Sequence, residues 1–342
     1  MLNAVFGAMS CDMAIDMGTF HTRIHVRGRG VVCCIPSVVA ILQHRSGTRR
    51  ILGVGEEAWA MLGRTPHDVR VVRPIRDGLI AEFEVAEALL RHMMVEVQGR
   101  KLWVGPRVAM CIPYGTTEVE KRAVRESAEA AGAREVYLVE HPLAAAAGTG
   151  LPIREARGHM VVDIGGGTTE VTVVSLGGIV YSRCLKIGGD HMDLALIRYL
   201  EDEHGLTVGI RSANTLKEEV GTATPTRGGT TVQVKGRDLK TGFPRAIEIS
   251  AGHVAAALQE PVGMIVDAVI SSMEHTPPDL AADISETGIV MAGGGSKLAG
   301  LDRVIGMATG MATVVAEQPE CASVRGAADL LLDTDLLREA AC

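Results

Sequence analysis

A chain of 342 residues, 47% hydrophobic and 22% charged, can bury a large core and divide into two domains, which excludes a largely disordered state. A net charge of -7 and an aromatic content of 3% leave no basic, base-stacking footprint, so nucleic acid is not an expected partner. The 7 cysteines show no C-x-x-C spacing, and no apolar run reaches the roughly 18 residues of a spanning helix, so the expectation is a cytoplasmic protein with reduced thiols.

After a short apolar start, the chain reads as three strands, "MAIDMGT", "TRIHVRG" and "SVVAIL", with turns at Gly28 and Gly30. "EVAEALLRHMMVEV" places Val85, Leu89, Met93 and Val97 at helical spacing, and "PRVAMCIP" reads as a buried strand. In "TTEVEKRAVRESAEAAGA", Thr117 and Glu120 form a capping box and Gly132 the stop of a helix with a solvated, charged face. A strand "EVYLV" and a small-residue helix "PLAAAAGTG" end this half. The composition changes at Gly148 to Pro152, and the strand, hairpin and helix pattern restarts at "HMVVDIGGGTTEVTVV". This restart predicts a domain boundary and an internal duplication.

Asp16-x-Gly18-Thr19 and Asp163-x-Gly165-Gly166-Gly167-Thr168 each join a strand to a second β-branched strand, so the two hairpins are expected to face one ligand. A third glycine turn, "IVMAGGGSKLAGLDRVI", is expected to join a strand to a helix starting near Ser296. Glycine lets backbone approach a ligand with no Cβ in the way, and successive N–H groups in one concavity suit an anion, phosphate above all. Asp16 and Asp163 then suit Mg2+, which uses one or two carboxylates and keeps its waters beside phosphate oxygens. One such turn is an ordinary hairpin; three in one chain point to a phosphate ligand. No G-x-x-x-x-G-K-[ST] occurs, which removes the P-loop. "GVGEEA" from Gly53 reads as a strand-to-helix turn rather than a dinucleotide site, because no acidic partner is well placed on a following strand.

These residues resemble the superfamily of actin, sugar kinases and heat-shock chaperone ATPases, and within it the MreB family of bacterial actins. The likeness runs nearly full length, through "IDMGTFHTRIHVRGRGVV", "RPIRDGLIAEFEV", "VRESAEAAGAREVYLVEHPLAAAAGTGLP", "MVVDIGGGTTEVTVVSLGGIVYS", "TPPDLAADISETGIVMAGGG" and "VRGAA", in family order and at family spacing. It implies an α/β, actin-like ATPase fold with two lobes of duplicated sheet-and-helix domains around a cleft for ATP and Mg2+. Residues 1–10 would be an apolar segment and possible membrane helix, 11–148 domain I, to which 318–342 return, and 149–317 domain II. By motif, Thr19, Phe20 and His21 fall on the first phosphate loop, Gly165, Gly166 and Gly167 on the second, and Gly293, Gly294, Gly295 and Ser296 on the third. The purine-side helix matches Asn214, Thr215, Leu216 and Lys217, with Glu218 adjacent. The resemblance further implies antiparallel double filaments at the inner face of the cytoplasmic membrane. There they would govern rod shape by organising wall synthesis with elongation proteins such as MreC and RodZ.

Three positions depart from the family pattern. His21 stands where the first loop has Asn, and Asn214 where the purine-side E-x-x-K has Glu. His141 replaces the Glu of an inter-lobe Glu-Pro, the residue expected to orient or activate the attacking water, with Thr168 across the cleft and Asp163 beside it. A neutral histidine there can act as a base, whereas a charged one is an electrostatic anchor near the phosphates. Glu140 precedes it, but neighbouring helix residues point about 100° apart, so it is not a direct substitute. The expectation is an ATPase coupled to polymerisation, or a nucleotide-binding structural paralogue with weak turnover. A phosphotransferase of the same superfold would need a substrate-side base, for which the sequence offers no candidate. For membrane contact, Leu2 and Phe6 lie on one apolar helical face, and Leu102 and Trp103 in "GRKLWVGPR" are the expected anchors, unless Trp103 packs back on its own domain.

Overall fold

The computed structural model describes residues 12–43, 49–98, 105–224 and 230–332. The expectations for Leu2, Phe6, Leu102 and Trp103 fall outside the described residues.

Two five-stranded sheets organise the described residues. The first contains β1 (Met13–Met17), β2 (His21–Val26), β3 (Gly30–Pro36), β4 (Arg107–Ile112) and β5 (Glu135–Glu140), in the order β5-β4-β1-β2-β3. The second contains β6 (His159–Ile164), β7 (Thr169–Ser175), β8 (Gly178–Leu185), β9 (Ile289–Ala292) and β10 (Thr313–Val315), in the order β10-β9-β6-β7-β8. Each sheet is an antiparallel three-stranded meander extended by two parallel strands on the far side of its first strand. The repeated order agrees with the duplication read from the two Asp-x-Gly motifs. β6 is buried at every position because both its faces are covered, which is why it reads as a nearly unbroken apolar run. β2 instead alternates, with Thr22, Ile24 and Val26 inward.

The predicted helices form where their signals lie. Phe83–Gln98 buries Val85, Leu89 and Met93, and Glu118–Ala130 starts on the Thr117–Glu120 capping box. The strand Arg49–Val54 turns through Gly55 into helix Glu56–Met61, so "GVGEEA" is the strand-to-helix turn expected. The third glycine turn differs from expectation: the helix begins at Leu301, and Gly294–Lys297 form a separate 3-10 turn. The buried Ser296 hydroxyl donates to Gly293 O at 2.6 Å, which tightens the turn, and Gly300 at φ 77 re-aims the chain before the helix starts.

Helix α1 (His141–Gly148) follows β5, and α4 (Ala322–Leu332) follows β10 in the second half; between them come α2 (Gly189–His204) and α3 (Ile210–Val220). Each of α1 and α4 leaves its own sheet for the other. Leu143, Ala145 and Ala146 of α1 pack with Val161 and Val174 of the second sheet, while Val324, Ala327 and Leu331 of α4 pack with Ala14, Ala109 and Val139 of the first. The two helices touch at Gly148 and Gly326, where a Cβ on either would overlap a carbonyl oxygen of the other. This crossing brings the C-terminal ends of β1 and β6 together. No single helix among the described residues is long and apolar enough to cross a membrane.

Candidate functional site

The hairpins after β1 and β6 meet face to face. A Cβ on Gly166 would stand 2.7 Å from Phe20 Cβ, and one on Gly167 would stand 2.7 Å from Thr19 Oγ1. Only glycine lets the second hairpin come so near the first. Gly165 N–H donates to Thr168 O at 2.8 Å, which leaves the N–H groups of Gly166 and Gly167 without a protein acceptor among the described residues. Such adjacent free donors suit an anion. The third turn closes on the same point, since a Cβ on Gly293 would lie 2.5 Å from Asp163 Oδ1. Gly294 is exposed, with Glu320 Cβ 3.9 Å from where its own Cβ would stand, whereas the Ser296 hydroxyl is spent on its own turn.

A buried charge group lies at the strand ends. His141 Nδ1 is 2.9 Å from Glu170 Oε2, and its Nε2 is 3.7 Å from Asp16 Oδ1. Tyr114 N–H donates to the other Glu170 oxygen at 3.3 Å, and Ser323 Oγ donates to Asp163 Oδ2 at 3.3 Å. Burial opposes the charged imidazolium, as does its position at a helix N-terminus, but Asp163, the hydrogen bond to Glu170 and Asp16 together raise its pKa to about 10. His141 is therefore protonated near neutral pH, and Nδ1 donates to Glu170. Burial pushes the Asp163 carboxyl up to about 6 against the pull of His141. Of the two roles expected of His141, the carboxylates within its reach favour the electrostatic anchor.

The remaining expected residues divide. Burial, then Arg23 and Arg73, hold the His21 pKa down at about 4, so it is a neutral ring at the edge of the first hairpin. Phe20 packs edge-on to Trp59 at 5.2 Å between centroids, with the Arg73 guanidinium over its ring. On α3, Lys217 Nζ is 2.6 Å from the buried Asp193 carboxylate and donates to Gly189 O at 2.7 Å, tying α3 to α2 beside the second hairpin. Asn214 is a buried residue of the same helix as Lys217. Leu216, expected on the purine side, is a core residue at 1% exposure that also borders the cavity beside Thr215. Thr215 lines a separate cavity of about 480 Å³ with Leu62, Arg64 and Lys235, and Glu218 points to solvent.

The sequence profile of the family described as MreB/Mbl protein matches residues 10–339. The chain belongs to the MreB/Mbl family. It is 47% identical over 338 residues to the cell shape-determining protein MreB of Escherichia coli K12, covering 98% of this chain and 97% of that one. It is similar in structure to MreB5 of Spiroplasma citri bound to AMPPNP, with a TM-score of 0.90 and 31% identity over 96% of this chain and 98% of that one. A MamK double helical filament, at a TM-score of 0.78 and 22% identity over 94% of this chain and 99% of that one, shares the actin-like fold.

Within this MreB/Mbl fold, the strand-end acids fit Mg2+. Asp16 and Asp163 are both buried at the glycine hairpins, two carboxylates being the number Mg2+ uses beside phosphate. With His141 charged, Asp16, Asp163 and Glu170 still leave two negative charges in excess, which a divalent cation offsets. Among the described residues no group of three or more acid, histidine or cysteine side chains could hold a metal ion by itself. Sequence reasoning missed Glu170, the cross-strand partner of Asp163. The signal was there: a carboxylate inside a run of otherwise β-branched residues, Thr168 to Val174.

Proposed function

We propose that the chain is a cytoskeletal protein of the cell-shape-determining kind, which binds ATP with Mg2+ between the two glycine hairpins and assembles into filaments. The observation that carries this reading is the meeting of the hairpins, with free Gly166 and Gly167 donors, at the buried carboxylates Asp16 and Asp163. The names of its relatives support it: a cell shape-determining protein at 47% identity, and a homologue bound to AMPPNP. Mg2+, when bound, would neutralise developing charge on the phosphate oxygens. The chain's own residues do the rest. Gly166 and Gly167 donate to phosphate, Thr168 lies at the base of the second hairpin, and His141 adds a fixed positive charge held by Glu170. The proposal includes the antiparallel double filament, the division at about residue 148, the inner membrane face as location, and MreC and RodZ as partners.

A second reading, a nucleotide-binding structural subunit with little turnover, is favoured by one observation. A protonated His141 has no lone pair to accept a proton from water. Phosphate release from ATP·Mg2+ by the native protein and by His141→Glu, at concentrations where sedimentation detects polymer, separates the two. Turnover in the native protein supports the full ATPase. Turnover confined to His141→Glu identifies the histidine as the block.

A further inference from the structure

Arg73 lies between the strand Val69–Val72 and the short strand Ile75–Arg76, at the head of the stretch "RPIRDGLIAEFEV" and outside the glycine hairpins. Its guanidinium reaches across the cleft. Nη1 is 2.9 Å from Asp190 Oδ2 and Nη2 is 3.1 Å from Asp190 Oδ1, a two-pronged pair in which both side chains are about four-fifths covered. Nη2 also donates to Thr19 O at 3.1 Å, on the first hairpin. Asp190 belongs to the first turn of α2, in the second half of the chain, and its own backbone N–H donates to Gly166 O at 2.8 Å.

These bonds form one circuit: Thr19 carbonyl, Arg73, Asp190, Gly166 carbonyl. The same segment anchors the first hairpin again through Gly78 N–H, which donates to Thr19 Oγ1 at 3.0 Å. Arg73 also lies over the Phe20 ring, 5.4 Å from its centroid. We propose that Arg73 is the positioning residue that holds the two phosphate hairpins in register, and so sets how long a nucleotide stays in the cleft. The inference rests on the nucleotide-binding reading of these hairpins.

Physical chemistry favours arginine for this task. Its planar fork satisfies a carboxylate and a carbonyl at once, which a lysine ammonium does not do in fixed geometry. Shielding from water makes a charge-assisted pair stronger than an exposed one. The partners also lie where displacement matters. Hairpin donors that converge on one anion lose it when one hairpin moves, although each hairpin keeps its own fold.

The test compares the native protein with Arg73→Ala, Asp190→Ala and the double variant, below the concentration at which polymer sediments. Dissociation of a fluorescent methylanthraniloyl-ADP with Mg2+, chased by excess ATP, gives the residence time. Each single change is expected to speed release about tenfold, the scale of a hydrogen-bonded charge pair. The double variant should be no faster than either single one, because both remove the same link. A merely local structural role predicts rates that multiply, and that result overturns the proposal. Small-angle scattering of the nucleotide-free proteins supplies a readout that does not need nucleotide. A larger radius of gyration in all three variants supports the cross-cleft link, and equal radii overturn it. If the native chain does not hold the nucleotide at all, the binding reading fails, and the scattering alone decides the link.

Discussion

His141→Gln removes the one positive charge from a buried group that contains Asp16, Asp163 and Glu170. Despite burial, Asp163, Glu170 and Asp16 raise the imidazolium pKa from 6.5 to about 10. A folded-state pKa above the unfolded one gives stability that is fully present below pH ~6.5 and is lost as the pH rises through about 10. A separation of roughly 3.5, at about 1.36 kcal/mol each, sets a ceiling near 5 kcal/mol, of which about 4 kcal/mol acts at pH 7. Removing one partner of a buried ion pair gives the same scale, about 3–5 kcal/mol. Asp163, lifted to about 6 chiefly by burial, slopes in the same direction, losing stability as the pH rises from its ordinary value of 3.8 through about 6. Urea unfolding of nucleotide-free protein from pH 7 to above 10 reads the difference. His141→Gln should start lower, and its gap from the native protein should close as the pH passes 10, while Cys33 and Cys184, pushed up by burial to about 11 and about 12, tilt both curves alike. A gap between the curves that does not change with pH refutes the charged histidine.

Two further outcomes follow, one from the packing and one from the sequence reading of Leu102 and Trp103. Gly326→Ala would place a methyl group on the Ala144 carbonyl at the α1–α4 crossing, so it should cost about 1–3 kcal/mol or more, read as a lower thermal midpoint. In a free helix the same change is stabilising by roughly 1 kcal/mol, so a raised midpoint would show that the crossing is not tight. Leu102→Ser with Trp103→Ser should lower flotation with liposomes while ATP binding persists, and unchanged flotation would remove that loop as a membrane anchor.

The sequence carried the parts of the fold that are local in the chain. Thr117 and Glu120 announce a helix start, and two Asp-x-Gly hairpins announce a duplication, because each signal lies within a few residues. The Arg73–Asp190 bridge spans residues 117 positions apart, neither in a recognisable phosphate motif, so nothing local points to it. Leu216 shows a different limit. A motif match gives a position along a helix but not its face, whereas the spacing of Ala213, Leu216 and Val220 already marks the buried stripe. Glu170 was hidden because its role depends on register: only the pairing of β6 with β7 sets it opposite Asp163.

That register explains why a histidine at position 141 is compatible with this fold. The duplicated hairpins place Arg23 opposite Asp16 in the first sheet but Glu170 opposite Asp163 in the second. Opposite charges across a strand pair are favourable, and like charges are not. The second sheet therefore has an acid pair that needs a cation from elsewhere, and α1, crossing over from the first half, delivers His141 to it. A Glu at 141 would add a fourth carboxylate and make the site dependent on a bound cation. His141→Glu should then be less stable than the native protein in EDTA. Mg2+ with nucleotide should raise its thermal midpoint by more than it raises the native one, since a ligand that binds only the folded state stabilises in proportion to its affinity. Equal shifts in the two proteins would mean that His141 and Mg2+ do not share the work of neutralising these acids, and the charge argument for the site would fall.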